Sequence, residues 1–351
     1  MADLLNTAVS GLLAFQRSLA TTGHNISNVN TAGYSRQEVD LVTRIPQLTG
    51  SGYVGSGVNA AGVERIYDQF ATEQVRTHTS DSSRMDAYYQ LASQVDDLLA
   101  DPDAGLAPTL QSFFDATQGV ADDPSSIPAR QVLLSEADSL VERFHSIDDR
   151  LTSLRDANND KLTSLVDEIN SYADSIAKIN ANIRTARDLA GGQPPNDLLD
   201  QRDELLRQLA ERVSVQTVEQ DDGAMNVFIG NGQPLVVGTE VQKLQIVPNE
   251  YNAFRAEVAT GSDGTVISDY LTGGSIGGVL DFRDEVLDPT RNALGRIAVG
   301  LSKTYNEQHA MGLDLDNNLG GDVFSLDGLS GTCLLYPSDA ADGPTLRDLG
   351  G

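Results

Sequence analysis

Apolar residues at the start of the chain step by three and four in alternation: Leu5, Ala8, Leu12, Phe15, Leu19, Thr22, Ile26 and Val29. That spacing is the a/d stripe of a coiled-coil seam and predicts a helix running to about Asn28. The stripe is narrow, and a lone helix of this length is marginal in water, so the pattern asks for a second helix to cover it. An ordinary core helix is the other reading of the same stripe. A polar, Asn-rich stretch, TTGHNISNVNTAGYSR at residues 21–36, follows. Asn28 and Asn30 suit a helix exit, because short amides bond freed backbone groups and tolerate left-handed φ. Gly33 offers the left-handed turn, and Tyr34 can pack back as an anchor.

The rhythm then changes. Glu38–Thr43 reads as a strand ended by Pro46, and GSGYVGSGVNAAG, leading to Val63, as an irregular hairpin or extended loop. Helical spacing runs from about Ile66 to Leu99, with Met85, Tyr88, Ala92, Val95 and Leu99 on one side, and again around Leu106–Val120. DDPSSIP is a break, and Ser125 or Ser126 is placed to cap what comes next. The longest helix is expected from about Ala129 to Leu189, with an a/d run from Leu162 to Ile183 and Asn158 as a polar member. At about 1.5 Å per residue it spans roughly 80–90 Å, a length common in rods and bundles. After GGQPPND, Asn196 or Asp197 is placed to cap DLLDQRDELLRQLAERV. Asp203 and Arg207 read there as a surface i,i+4 pair, worth only about 0.2–0.5 kcal/mol.

From Val213 the text turns to short strands: VSVQTVEQ, MNVFIG, QPLVVG, KLQIV and FRAEV. Asn231-Gly232, between the second and third, predicts a hairpin whose two central residues take positive φ. GGSIGG reads as a turn, and helical spacing resumes beyond it through Leu287, Leu294, Ile297, Leu301 and Tyr305. The expected fold is therefore mainly α with inserted β: a long helical-bundle or coiled-coil rod carrying a small antiparallel β domain. The expected divisions are an N-terminal axial helix at 1–34, a hairpin or extended linker at 35–62, a helical rod at 63–212 and the β domain at 213–275. A returning rod helix at 276–311, a loop at 312–332 and a tail at 333–351 complete them.

Composition narrows the function. In 351 residues, 51 acidic side chains against 24 basic ones give a net charge of -27, which argues against nucleic acid. The one cysteine, Cys333, excludes an internal disulfide and a Cys-based metal site. No stretch approaches the roughly 18 consecutive apolar residues of a membrane span, so no membrane insertion is expected. The N-terminus lacks the basic region of a cleavable signal, so export would need another route.

Chemistry is sparse. GSGYVG at residues 50–55 fits a dinucleotide fingerprint, but no helix start or βαβ pattern follows it. GGSIGG lacks the Lys-Ser/Thr of a phosphate loop. DLDNNLGGD from Asp314 imitates a calcium loop, with Leu319 where Gly is needed and Ser325 where a bidentate Glu should stand. His24, His78, His145 and His309 have no metal-pair spacing. His24 near Ser27 could be half of a hydrolase site, but it lies off the seam and reads as a solvated polar residue. No catalytic, cofactor or metal site is expected.

HNISNVNTAGYSRQ resembles the N-terminal signature of bacterial flagellar axial proteins, carried by Asn25, Asn28, Asn30, Gly33 and Tyr34, with Ala32 where Pro is common. GVERIYDQFATEQVR, PPNDLLDQRDELLRQL and GGSIGGVLDFRDEVLDPTRNALGRIAVGLSKTYNEQHAMGLDLDNNLGGDVF narrow the resemblance to the hook-associated protein 1 family, from the start to about Leu326. The resemblance implies a structural protein of the hook–filament junction. Such a protein forms a ring with copies of itself, contacts hook protein and neighbouring hook-associated or filament proteins, and is exported unfolded by the flagellar type III apparatus. It would reside outside the cell in the flagellum and hold no cofactor. Another axial protein of hook or rod is the nearest alternative, and an extracellular enzyme carried on an axial scaffold the more distant one. Residues 333–351 do not resemble the family, and CLLYPSDAAD looks like translated sequencing adapter. The expectation is a C-terminally truncated reading with a non-native tail; a divergent native tail is the alternative.

Overall fold

The computed structural model describes residues 2–49, 52–101, 105–261 and 264–325. The tail expected to be non-native, 333–351, and the end of the loop before it lie outside the described residues. The architecture is mainly helical with small antiparallel sheets. Helix α1 (Ala2–Ser27) precedes a double hairpin of β1 (Gln37–Thr43), β2 (Gln47–Thr49), β3 (Gly52–Val54) and β4 (Val58–Arg65). Helices α2 (Gln69–Ala100), α3 (Leu106–Asp122), α4 (Ile127–Leu189) and α5 (Asn196–Ala210) follow. Next come β5 (Val215–Glu219), β6 (Met225–Ile229), β7 (Gln233–Val237), β8 (Glu240–Val241), β9 (Leu244–Pro248), β10 (Ala256–Thr260) and β11 (Thr265–Val266). Helix α6 (Gly274–Phe282), a π-helical turn at Arg283–Leu287 and α7 (Asp288–His309) close the described fold.

The chain divides into two compact units. The first holds residues 1–84, 165–247 and 258–276. Here the a/d run of α4 buries Leu165, Ile169, Ile176 and Ile183, and α5 adds Leu206 and Leu209. The four-stranded sheet runs β5-β6-β7-β8, and a smaller one runs β11-β10-β9. Two polar residues of α4 complete strand ends. The Asn170 amide donates to Leu244 O and accepts from Leu244 N, both at 2.9 Å. Asn180 donates to Met225 O at 2.9 Å and Gly238 O at 2.6 Å. Such paired bonds let a helix satisfy strand backbone that would otherwise be buried unbonded.

The second unit holds residues 85–164, 248–257 and 277 onward. Its core joins Val95, Phe113, Phe144, Leu151, Phe282 and Phe324. Ser126 caps α4, its hydroxyl accepting from Ala129 N at 3.3 Å. Met85 and Leu99, at the ends of the α2 stripe, are exposed while Val95 is buried. Beside the π turn, Arg255 donates to Glu257 at 2.7 Å, to Asp288 at 2.6 Å and to Asp284 at 3.0 Å.

Three local expectations are corrected. The β6–β7 loop has three residues, with Ile229 opposite Gln233. Positive φ falls on Gly230 (54°) and Gly232 (101°), not on Asn231. The reason is tertiary: Gly230 N donates to Ser214 O and Asn231 N to Tyr270 O, which pins the loop between the residue before β5 and the turn after β11. GGSIGG is not a turn throughout; Gly273 and Gly274 turn, and α6 starts at Gly274. A side chain at Gly274 would sit 2.2 Å from Val213 N, so close backbone approach selects glycine there. Neither Asn196 nor Asp197 caps α5: the cap position is Pro195, and both side chains are recruited elsewhere.

Candidate assembly site

The first unit carries the residues that the sequence singled out. Helix α1 packs on the β1–β4 ladder through one face. Ala14 is buried, Ser10 Oγ accepts from Val58 N at 3.2 Å, and Arg17 reaches Ala60 O at 3.5 Å. The seam lies on the opposite face. Leu5, Leu12, Phe15, Leu19 and Ile26 are 59–74% exposed, with Ala8 also exposed, and Val29 just past the helix is 73% exposed. The stripe is therefore open to solvent on a helix that is anchored from its other face.

The hinge that follows is tightly bonded. Asn25 donates to Gln37 O and accepts from Gln37 N, both at 2.9 Å, so its amide acts as a short strand beside β1. The Tyr34 hydroxyl donates to the same Asn25 oxygen at 2.7 Å. Asn28 donates to His24 O at 3.1 Å and so ends α1 by satisfying a last-turn carbonyl. Its backbone carbonyl accepts from Thr31 N at 2.9 Å. Asn30 is exposed. Gly33 takes φ 75°, and a Cβ there would lie 2.7 Å from Cβ of Glu204.

Helix α5 supplies the other half. Asp197, Asp200 and Asp203 recur every third residue and share one face. Asp197 Oδ1 accepts from Gln37 Nε2 at 2.7 Å and faces His24 Nε2 at 3.2 Å. Asp200 accepts from Ser35 N at 2.9 Å. Arg65 of β4 bridges Asp200 at 3.0 Å and Asp203 at 2.6 Å while lying over the Tyr67 ring. Burial works against that guanidinium, but the two carboxylates outweigh it and hold it above its ordinary pKa. Burial first, and then Asp197 and Asp200, push the Tyr34 phenol above 10. Asn196 donates to Val63 O at 2.7 Å, tying the start of α5 to β4.

Three readings of the sequence change here. His24 is not a freely solvated residue, for it meets Asp197 and Asn28 and packs edge-on against Tyr34 at 5.5 Å. It forms no dyad with Ser27, whose hydroxyl donates to Gly23 O. Asp203 pairs with Arg65 rather than Arg207, which instead holds Glu204 and Glu211 at 2.7 Å each. The hinge partners on α5 and β4 were missed because they lie far away in sequence. The signal was present in the three-residue spacing of the aspartates within PPNDLLDQRDELLRQL.

In the second unit, the calcium-like loop uses its first carboxylate on itself. Asp314 Oδ1 accepts from Asp316 N and Asn318 N at 2.8 Å each, and these bonds hold its pKa below the ordinary value. Asn317 takes φ 67° in the same turn. This is Asx-turn geometry.

Comparison with known proteins decides the family. A family model described as the helical domain of flagellar hook-associated protein FlgK matches residues 92–324. The chain belongs to the FlgK family. A second model, described as flagella basal body rod protein, matches residues 5–34, which hold the apolar stripe and the hinge. Flagellar hook-associated protein 1 of Salmonella typhimurium is 39% identical over 330 residues, covering 93% of this chain and 60% of its own length. The Escherichia coli protein of the same name is 37% identical over 331 residues, with the same coverage. The chain thus spans about 60% of the length of these FlgK relatives. The solved flagellar hook junction protein FlgK from Burkholderia pseudomallei superposes with a TM-score of 0.67 at 33% identity, covering 72% of this chain and 46% of that one.

Proposed function

We propose that this chain is a structural component of the bacterial flagellum that joins hook to filament by self-assembly. The observation that carries this reading is the apolar stripe of α1, exposed on the face opposite the one that the hairpin anchors. Copies form a ring in which that stripe packs against helices near the axis. Hook protein lies on one side of the ring, and neighbouring hook-associated or filament proteins lie on the other. Residues 1–34 serve as the axial helix, 35–62 as linker, 63–212 and 276–311 as rod, and 213–275 as the outward β domain. The subunit works outside the cell after unfolded export by the flagellar type III apparatus. It catalyses no reaction and needs no cofactor.

The test is Leu12→Asp in a strain lacking its own junction protein. The variant should fail to join hook to filament while the β5–β8 sheet keeps its fold by circular dichroism. Normal junctions would reject the seam. The rod-protein match at residues 5–34 favours a hook or rod subunit as the second reading. Incorporation into hook or rod instead of hook ends, seen by immunogold labelling, would select it.

A further inference from the structure

Beside the seam, α1 exposes a second apolar strip. Val9 and Leu13 are 47% and 57% exposed, and Ala20 continues the strip two turns on. With about 100° per residue, these positions lie between the seam and the face that packs on the hairpin, and belong to neither. A groove of about 330 Å³ runs there between helix and ladder, walled by Leu13, Gln16, Arg17 and Ala20 on α1, by Arg44 beyond β1, and by Val58 and Ala60 on β4. That is room for one or two large side chains.

The same unit offers an uncovered projection. The β2–β3 ribbon sets Leu48 directly opposite Tyr53, so both side chains share one face, and they are 71% and 74% exposed. Ile45 at its root is 88% exposed. Arg44 N donates to Gly57 O and Ser56 Oγ to Ile45 O, so the β1–β4 pairing carries on into the ribbon instead of folding it back over the groove. A two-stranded ribbon is marginal alone in water, and its edges are open to pairing.

Charge identifies the occupant. Between Leu4 and Val63 the only charged side chains are Arg17, Arg36, Glu38, Asp40 and Arg44, so nearly all of the net charge of -27 lies beyond them. Copies that meet through the rest of the chain bring together regions that are acidic on balance. The ribbon from Ile45 to Ser56 carries no charge, and the charged side chains lining the groove are Arg17 and Arg44, with no carboxylate among them, so a neutral ribbon meets no repulsion there. We propose that the β2–β3 ribbon of one copy inserts Leu48 and Tyr53 beside Val9, Leu13 and Ala20 of a second copy. The contact joins two different surfaces, so it propagates from copy to copy as a ring or helix does. It rests on the reading of the chain as a self-assembling subunit, and adds to the seam a lateral contact that fixes neighbour spacing.

The test uses the full 351-residue chain with p-benzoylphenylalanine at Tyr53. Irradiation should give a cross-linked dimer whose adducts map to residues 9–20 of the other chain. Leu13→Asp should lower that yield at least fivefold, with the helical circular dichroism signal unchanged. Leu48→Ser gives a second reading that leaves α1 untouched, and should also lower it. Adducts within one chain, adducts elsewhere on the partner, or a yield indifferent to both variants would overturn the contact. Binding to purified hooks is measured separately. Hook capping without the adduct rejects this contact and leaves the junction reading standing; the adduct without hook capping does the reverse.

Discussion

Asn25 and Gln37 hydrogen-bond each other in both directions at 2.9 Å, so a side chain at the end of α1 completes the first rung of β1. The same Asn25 oxygen receives the Tyr34 hydroxyl, which closes the hinge into a small bonded ring. Amide geometry therefore helps to fix the direction in which α1 leaves the hairpin, beside the packing of Ala14 on the ladder.

Asn25→Ala should destabilise the first unit by about 1–3 kcal/mol, because it strands the backbone of the buried Gln37 and the Tyr34 hydroxyl. Hydrogen exchange at the Gln37 amide should accelerate while the β5–β8 sheet stays protected. Unchanged exchange at Gln37 would show that the amide pair does not hold the hinge.

Gly33→Ala should cost more than about 1 kcal/mol. It forces a side chain into φ 75° and against Cβ of Glu204, which is too close to the α5 backbone to swing away. Gly23→Ala, a helical position with open space, should instead be neutral or slightly stabilising. Urea unfolding of the pair compares them directly.

Arg65→Met should cost about 3–5 kcal/mol, because it leaves Asp200 and Asp203 without a cation at 6% and 12% side-chain exposure. A double-mutant cycle between Asp203 and Arg65 should give a coupling above about 1 kcal/mol, and one between Asp203 and Arg207 a coupling near zero. The reverse ranking would restore the simple i,i+4 pair.

The paired hydrogen bonds from Arg207 hold the Glu204 carboxyl below its ordinary value of 4.5, against the opposing pull of burial. A folded-state pKa below the unfolded one adds stability that is present above about 4.5 and lost as pH falls through the folded value. Because Glu204 backs Gly33, the hinge should loosen in that acid range. Glu204→Gln should remove this share of the pH dependence, read as the thermal midpoint between neutral and acid pH.

Periodicity alone located α1, the long α4 and the switch to short strands at Val213. Those elements repeat an apolar pattern over many residues, and burial of a stripe is a local demand that sequence displays openly. A serine cap for α4 at Ser125 or Ser126 was legible for the same reason, since a cap bonds backbone three residues away, and the structure selects Ser126. The family signature was legible too, because its residues lie together in the chain.

Partner choice between distant polar residues was not legible. Asp203 has a good i,i+4 neighbour in Arg207, yet β4 brings Arg65 into a drier site where a charge pair is worth more. Asn196 and Asp197 have the right types to cap α5, yet β1 and β4 offer them partners across the fold. Asn231 fits a two-residue turn, but hydrogen bonds to Ser214 and Tyr270 impose a three-residue loop. Sequence by itself determined the long helices, the switch to short strands and the apolar stripe along α1. Tertiary structure alone decided which face of α1 is anchored and which is left free, because that depends on where the β1–β4 ladder and α5 meet it. A polar side chain takes the partner that burial makes strongest, and burial is a property of the folded chain.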